Sequence, residues 1–170
     1  MLIDSHRFGP LEVPEDKIFC MERPVLGFER LKFFCLIEMD ELEPFLWMQS
    51  TEDPKIAFLV MNPVVFVPDY RIKINSQEIA ELEVSDPRSV ETYVILTIAK
   101  NAKDITANLQ GPILINTVNN KAKQLVLVNS EYQVQHSITE AAEQLQKTEA
   151  AEQLQKTEAP AARTEEPVPA

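Results

Sequence analysis

Ile56–Met61 reads Ile-Ala-Phe-Leu-Val-Met, six residues without a polar side chain. The run is too short for a packed helix and is bounded by breakers, Pro54 before it and Pro63 after it. It therefore predicts a strand covered by apolar material on both faces. Such a strand cannot lie at the surface of a two-layer protein. It needs a neighbouring strand on each edge and a separate apolar layer over each face, and the rest of the chain has to supply both.

The remaining sequence supplies many short candidates. Met1–Asp4 and Leu11–Val13 flank Gly9-Pro10, and Lys17–Met21 follows Pro14. Phe33–Met39 and Phe45–Ser50 are dense in aromatic and large aliphatic residues, so Trp47 is expected in the core. Val64–Val67 lies between Pro63 and Pro68, as an edge strand would. Tyr70–Ile74 alternates polar and apolar, and Val90–Ile98 is long and β-branched. Ile113–Val118 and Gln124–Asn129 flank an Asn119-Asn120-Lys121 turn, and Tyr132–Gln135 closes the domain. Ser76 is placed to cap a helix over Gln77–Leu82, and a second short helix is expected from Asp104 to Leu109, before Gly111-Pro112. The predicted fold class is mainly β, a small antiparallel barrel or sandwich with one or two short helices.

A boundary falls after Ile138. The following residues read TEAAEQLQK twice and then run into a Pro/Ala/Glu-rich end, so 139–170 is expected to be an acidic, disordered or transiently helical tail. Its two leucines, Leu145 and Leu154, would lie on opposite sides of a helix and form no docking stripe.

Charge and composition narrow the function. The formal net charge is −11, which disfavours direct nucleic-acid binding and suits a basic protein partner. No apolar run is long enough to span a bilayer, and the start has no secretory pattern, which points to the cytoplasm. Three glycines, two distant histidines and two isolated cysteines build no phosphate loop and no metal-ligand spacing. Cys20 and Cys35 read as reduced thiols in apolar surroundings. Carboxylate neighbours such as Glu52-Asp53 and Glu38/Asp40 read as solvated turns. No catalytic, cofactor or metal site is expected.

Four blocks in order resemble the bacterial flagellar assembly factor FliW family. The first is Arg23-Pro24-Val25-Leu26-Gly27-Phe28-Glu29, where the family's Gly-Leu-Pro-Gly-Phe turn survives as Gly27-Phe28. The second holds Pro44-Phe45, Trp47–Ser50, Ala57-Phe58, Asn62-Pro63 and Pro68-Asp69-Tyr70. The third runs Thr106–Ile113 with Ile115-Asn116, and the last Lys123–Leu127 with Tyr132 and His136–Ile138. The resemblance covers 1–138 and implies a FliW-like β domain, non-enzymatic, with two protein partners. These are CsrA, a small basic repressor of translation that binds messenger RNA, and cytoplasmic flagellin. Flagellin that accumulates would displace CsrA, and flagellin synthesis would fall. The alternatives are a flagellin chaperone without CsrA control and an acidic β-barrel hydrolase.

The expected partner surface is an edge at Asn62, Pro63, Phe66, Pro68, Asp69 and Tyr70, with Phe66 exposed. An acidic helix face of Glu78, Glu81 and Glu83 continues it from Asp69. Asn108, Gln110 and Asn116 are expected to cap backbone groups around Gly111-Pro112. A chain ended after Ile138 is expected to melt at the temperature of the full chain; a large drop in a thermal scan would refute the boundary.

Overall fold

The structure, a computed structural model, describes residues 1–73, 76–99, 104–128 and 131–138. Among these described residues, eleven strands are β1 Leu2–Ser5, β2 Gly9–Glu12, β3 Ile18–Arg23, β4 Phe33–Glu38, β5 Phe45–Ser50, β6 Ala57–Met61, β7 Val90–Ile98, β8 Ile105–Ala107, β9 Ile113–Asn116, β10 Lys121–Gln124 and β11 His136–Ser137. One α-helix, α1, spans Ser76–Ala80, and four 3₁₀ turns punctuate the loops.

β6 is the centre. It pairs antiparallel with β5, Trp47 opposite Leu59, and with β7, Met61 opposite Val94. From β7 the pairings continue through β9, β10, β3, β4 and β5 back to β6, closing a barrel-like ring of seven strands. One of these pairings, β3 with β10, is parallel. The nine residues of β7 outrun β6, and its far end carries β8 and then β11. The β1–β2 hairpin stands apart and packs Ile3 and Val13 on Cys35.

Alternation along the central strands divides the core in two. Phe58 and Val60 join Phe19, Met21, Phe34, Met48, Ile95, Ile113 and Ile115 inside the ring. Leu59 and Met61 join Phe45, Trp47, Val94, Leu96 and Ile105 on the outer side. All five residues of β6 are buried, as a strand covered on both faces requires. Trp47 is in the outer core, where Phe8 meets it edge-on at 6.5 Å and the Arg7 guanidinium lies 3.9 Å from its ring centre.

Several expected elements are replaced, each for a local reason. Val64–Val67 is not an edge strand. Asn62 caps a 3₁₀ turn over Pro63–Val65 by accepting the Val64 N–H at 3.1 Å, and Pro63 presets the first turn position. The cap and the proline together outweigh the β-propensity of the valines. Tyr70–Lys73 forms no strand, because the Arg71 N–H goes to the Tyr132 hydroxyl at 2.8 Å rather than to a ladder; Ile74 lies outside the described residues. The expected helix at Asp104–Leu109 is strand β8 over Ile105–Ala107, recruited by the free edge of β7 with Leu96 opposite Ala107. Ser76 is the first described residue of α1. The Gln124–Asn129 strand begins earlier, as β10 at Lys121, and the closing strand is His136–Ser137 instead of Tyr132–Gln135. The tail readings over 139–170, and Asn129, lie outside the described residues.

Phe58→Ala removes a fully buried ring that meets Phe28 edge-on at 5.0 Å and Phe34 at 6.1 Å. We expect it to cost about 3–5 kcal/mol in a urea unfolding titration.

Candidate functional site

The outer core has a lid. After Met61 the chain makes the Asn62-capped turn and lays Phe66, Val67, Tyr70 and Ile72 across the outer face of the sheet. Tyr70 is the anchor. It is buried, its hydroxyl donates to the Leu109 carbonyl at 2.7 Å, and its ring meets Tyr132 at 4.5 Å. Burial, with Tyr132 nearby, raises the Tyr70 phenol well above its ordinary range, so it stays a neutral donor. Phe66 stacks on His136 at 5.9 Å.

Beside this lid lies a groove of about 570 Å³. Asn62, Pro63, Val64, Tyr70 and Ile72 form one side. Ile79, Leu82, Val84, Ser85 and Pro87, in and after α1, form another, with Val90–Thr92 and Leu114 of the ring as floor. The lining is mainly aliphatic, with Asn62, Ser85 and Thr92 as the neutral polar groups and Tyr70 and Glu91 as the ionisable ones. Volume and lining suit apolar side chains presented by a partner.

The α1 wall is held by charge rather than by apolar packing, since no residue of α1 itself is buried. Lys123 of β10 is 2% exposed; its ammonium donates to the Glu78 carbonyl at 3.1 Å and lies 3.5 Å from the Glu81 carboxylate. The Arg23 guanidinium grips Glu81 with two bonds, 2.8 and 3.1 Å. Lys121 pairs with Glu83, which sits at a positive φ of 52°. The Asn116 and Asn119 amides both donate to the Leu82 carbonyl, at 2.9 and 3.0 Å. Arg23, with Lys123 behind it, holds the Glu81 carboxyl below its ordinary value of 4.5.

Of the residues expected to meet partners, Asn62, Pro63 and Tyr70 come together on the groove. Phe66 is half-buried under the lid rather than exposed, while Pro68 and Asp69 are exposed in the loop before Tyr70. On the expected acidic helix face, Glu81 and Glu83 pair with Arg23, Lys121 and Lys123, and Glu78 contributes its carbonyl to the same clamp. The groove roles of Ile72, Val84 and Val90, each only partly buried, had no sequence signal, because no local pattern reports which aliphatics line a cleft. The burial of Lys123 was equally hidden, since alternating Lys-Ala-Lys reads as an exposed strand.

The expected capping roles around Gly111 hold. Asn108 accepts the Gln110 N–H at 3.1 Å, the Gln110 amide donates to the Tyr132 carbonyl at 2.7 Å, and Asn116 accepts the Val118 N–H at 3.0 Å. A Cβ on Gly111 would stand 2.8 Å from the Gln124 amide, which donates to the Gly111 carbonyl at 3.0 Å.

Glu52 and Asp53 serve local structure. Glu52 accepts the Lys32 and Phe33 N–H groups, and Asp53 pairs with Arg30. Burial pushes the Cys35 thiol up to about 11, and burial with Glu22 raises Cys20, so neither is an activated thiolate. Among the described residues no three His, Cys, Asp or Glu side chains are grouped to hold a metal ion, and no helix is long and apolar enough to cross a membrane.

Because the folded Glu81 carboxyl is depressed, its contribution is complete above the ordinary carboxylate range and disappears as the pH falls through its lowered value. Glu81→Gln is expected to lower the urea midpoint at pH 7 and to flatten the acid side of the stability profile; an unchanged profile would remove Glu81 from the clamp.

Comparison with known proteins places this geometry. The sequence model for the FliW protein family matches residues 2–138. The flagellar assembly factor FliW of Syntrophus aciditrophicus (strain SB) is 39% identical over 143 residues, spanning 84% of this chain and 90% of that protein. The flagellar assembly factor FliW of Alkaliphilus metalliredigens (strain QYMF) is 34% identical over 148 residues, spanning 86% and 91%. A crystal structure of the flagellar assembly factor FliW superposes with a TM-score of 0.75 at 33% identity, covering 81% of this chain and 96% of that one.

Proposed function

This chain belongs to the FliW family of flagellar assembly factors, and from that premise we propose that it is a non-enzymatic cytoplasmic regulator that binds and antagonises CsrA and binds flagellin. The groove against Tyr70 is the observation that carries the reading. It offers mainly aliphatic surface with a few hydrogen-bonding groups, which fit the side chains of a protein partner. Two protein ligands competing for one regulator need no chemistry to act as a switch. A ten-fold change in relative occupancy corresponds to about 1.4 kcal/mol, so a modest rise in free flagellin redistributes the regulator and frees CsrA. The −11 charge favours encounter with a basic repressor.

The test is titration of the purified chain with CsrA and with flagellin, followed by release of a CsrA-bound RNA leader. Val64 lines the groove and is 45% exposed, so Val64→Glu changes the surface without opening the core. We expect it to weaken at least one of the two complexes ten-fold or more, with the melting temperature unchanged. Failure of the parent chain to bind either protein would sink the proposal. Binding of flagellin alone would replace it with a dedicated flagellin chaperone. Full affinity of Val64→Glu for both would move the contact away from the groove.

A further inference from the structure

One edge of β7 is left unfinished. From Val90 to Tyr93 the strand pairs with β9, but on its other edge β6 stops at Met61 opposite Val94. The β9 edge is served by the odd-numbered residues. The Ser89 carbonyl accepts the Thr117 N–H at 2.9 Å, and further along the same edge the Ile95 carbonyl accepts the Asn108 N–H at 3.0 Å. Successive residues of an antiparallel strand turn their N–H and C=O to opposite edges. Thr92 therefore turns both groups, and Val90 its C=O, toward the edge that β6 has left. The Val90 N–H is held by the Pro87 carbonyl.

Pro63 causes the gap. Carried two residues further, the register of β6 would set Pro63 opposite Thr92. Proline has no N–H to give to the Thr92 carbonyl. The Pro63 carbonyl is taken by the Phe66 and Val67 N–H groups, at 3.2 and 2.8 Å, in the turn that starts the lid. Among the described residues the Thr92 N–H and C=O have no partner. Thr92 is half-buried on the floor of the groove. The groove walls repeat the pattern, since neither Ile72 nor Val84 makes a backbone hydrogen bond among the described residues.

An unpaired strand edge in the floor of a groove selects how the occupant is folded. A helix keeps its backbone bonds to itself and leaves Thr92 unmet, whereas an extended segment completes the ladder. Charge selects the side chains. Glu91 is the one charged residue along the groove, and it alternates with Thr92 onto the ring side of β7, where its carboxylate accepts the Tyr93 hydroxyl at 3.2 Å. The floor on the outer side is left to Val90, Thr92 and Leu114, none of them charged. On the reading of this groove as the partner site, we infer that it receives an extended, uncharged segment of the partner protein, with aliphatic residues at alternate positions, as a strand added to β7 at Thr92.

The probe is a peptide that carries no CsrA or flagellin sequence, acetyl-Ser-Val-Ser-Val-Ser-Val-Ser-amide. It is titrated into the full chain and followed by NMR at the methyl signals of Val64, Val90 and Leu114, which are expected to shift. N-methylation of all its valines, or of all its serines, blocks one edge of the peptide strand at a time. Only one edge can meet Thr92, so one methylated peptide should bind about ten-fold more weakly while the other binds as the parent peptide does. Thr92→Pro deletes an N–H that lies outside the β9 ladder, and should weaken the parent peptide about ten-fold with an unchanged melting temperature. If that variant fails to fold, the two methylated peptides decide. Absence of shifts at the groove, equal binding of the two methylated peptides, or full affinity of a folded Thr92→Pro overturns the inference. A chain that takes the peptide but binds neither CsrA nor flagellin keeps the strand-addition mode and loses only the proposed partners.

Discussion

Burial of β6 on both faces is the constraint on which everything else rests. Phe58 and Val60 fill the ring while Leu59 and Met61 build a second core outside it. A ring alone would leave that outer layer wet. Uncovered apolar surface costs roughly 25 cal/mol per Å², so the chain must return over it, and the stretch after Met61 does so. The Asn62 cap and Pro63 bend the chain sharply enough to bring Phe66, Val67, Tyr70 and Ile72 across the sheet. The lid exists because the strand beneath it is apolar on the wrong side for a simple barrel.

The groove follows from where that cover stops. The lid covers the outer face above β5–β7, and α1 with its following loop covers the flank beside β9 and β10, leaving a cleft between them. The two walls are secured by different physics. Tyr70 is fixed by a hydrogen bond and ring contacts in a dry setting. The α1 wall is fixed by Lys123, Arg23 and Lys121 on Glu81 and Glu83. Taking Lys123 out of water is expensive, and its close partners, the Glu78 carbonyl on α1 and the Glu81 carboxylate just after it, offset that cost. Loss of Glu81 would leave this buried ammonium poorly compensated, which ties the groove's shape to an ion pair instead of to a broad apolar contact. A FliW-family protein built this way carries a groove shaped by its fold.

Regular elements with strong patterns were legible in the sequence. Phe45–Ser50 and Val90–Ile98 stand where alternation and β-branching put them, and the all-apolar run is the doubly covered strand it had to be. Errors fell where a local interaction or a distant partner outweighed propensity. At Val64–Val67 a side-chain cap displaced a strand. At Ile105–Ala107 the free edge of β7 displaced a helix. The pairing of the acidic helix face was hidden for a related reason: charge can be counted along a chain, but whether Glu81 faces water alone or is held by Arg23, 58 residues away, cannot.

The sequence by itself determined the class of molecule: a mainly β fold, with few glycines, histidines and cysteines, and with family blocks in order across the residues 2–138 that the family model matches. Those properties depend on composition and on spacing along one chain. The tertiary structure decided which aliphatics line the groove and which lysine is buried. Each of these is set by neighbours tens of residues away: Tyr70 by Leu109, and α1 by β3 and β10. Surface is what packing leaves over, so it becomes known only when every long-range pairing is in place.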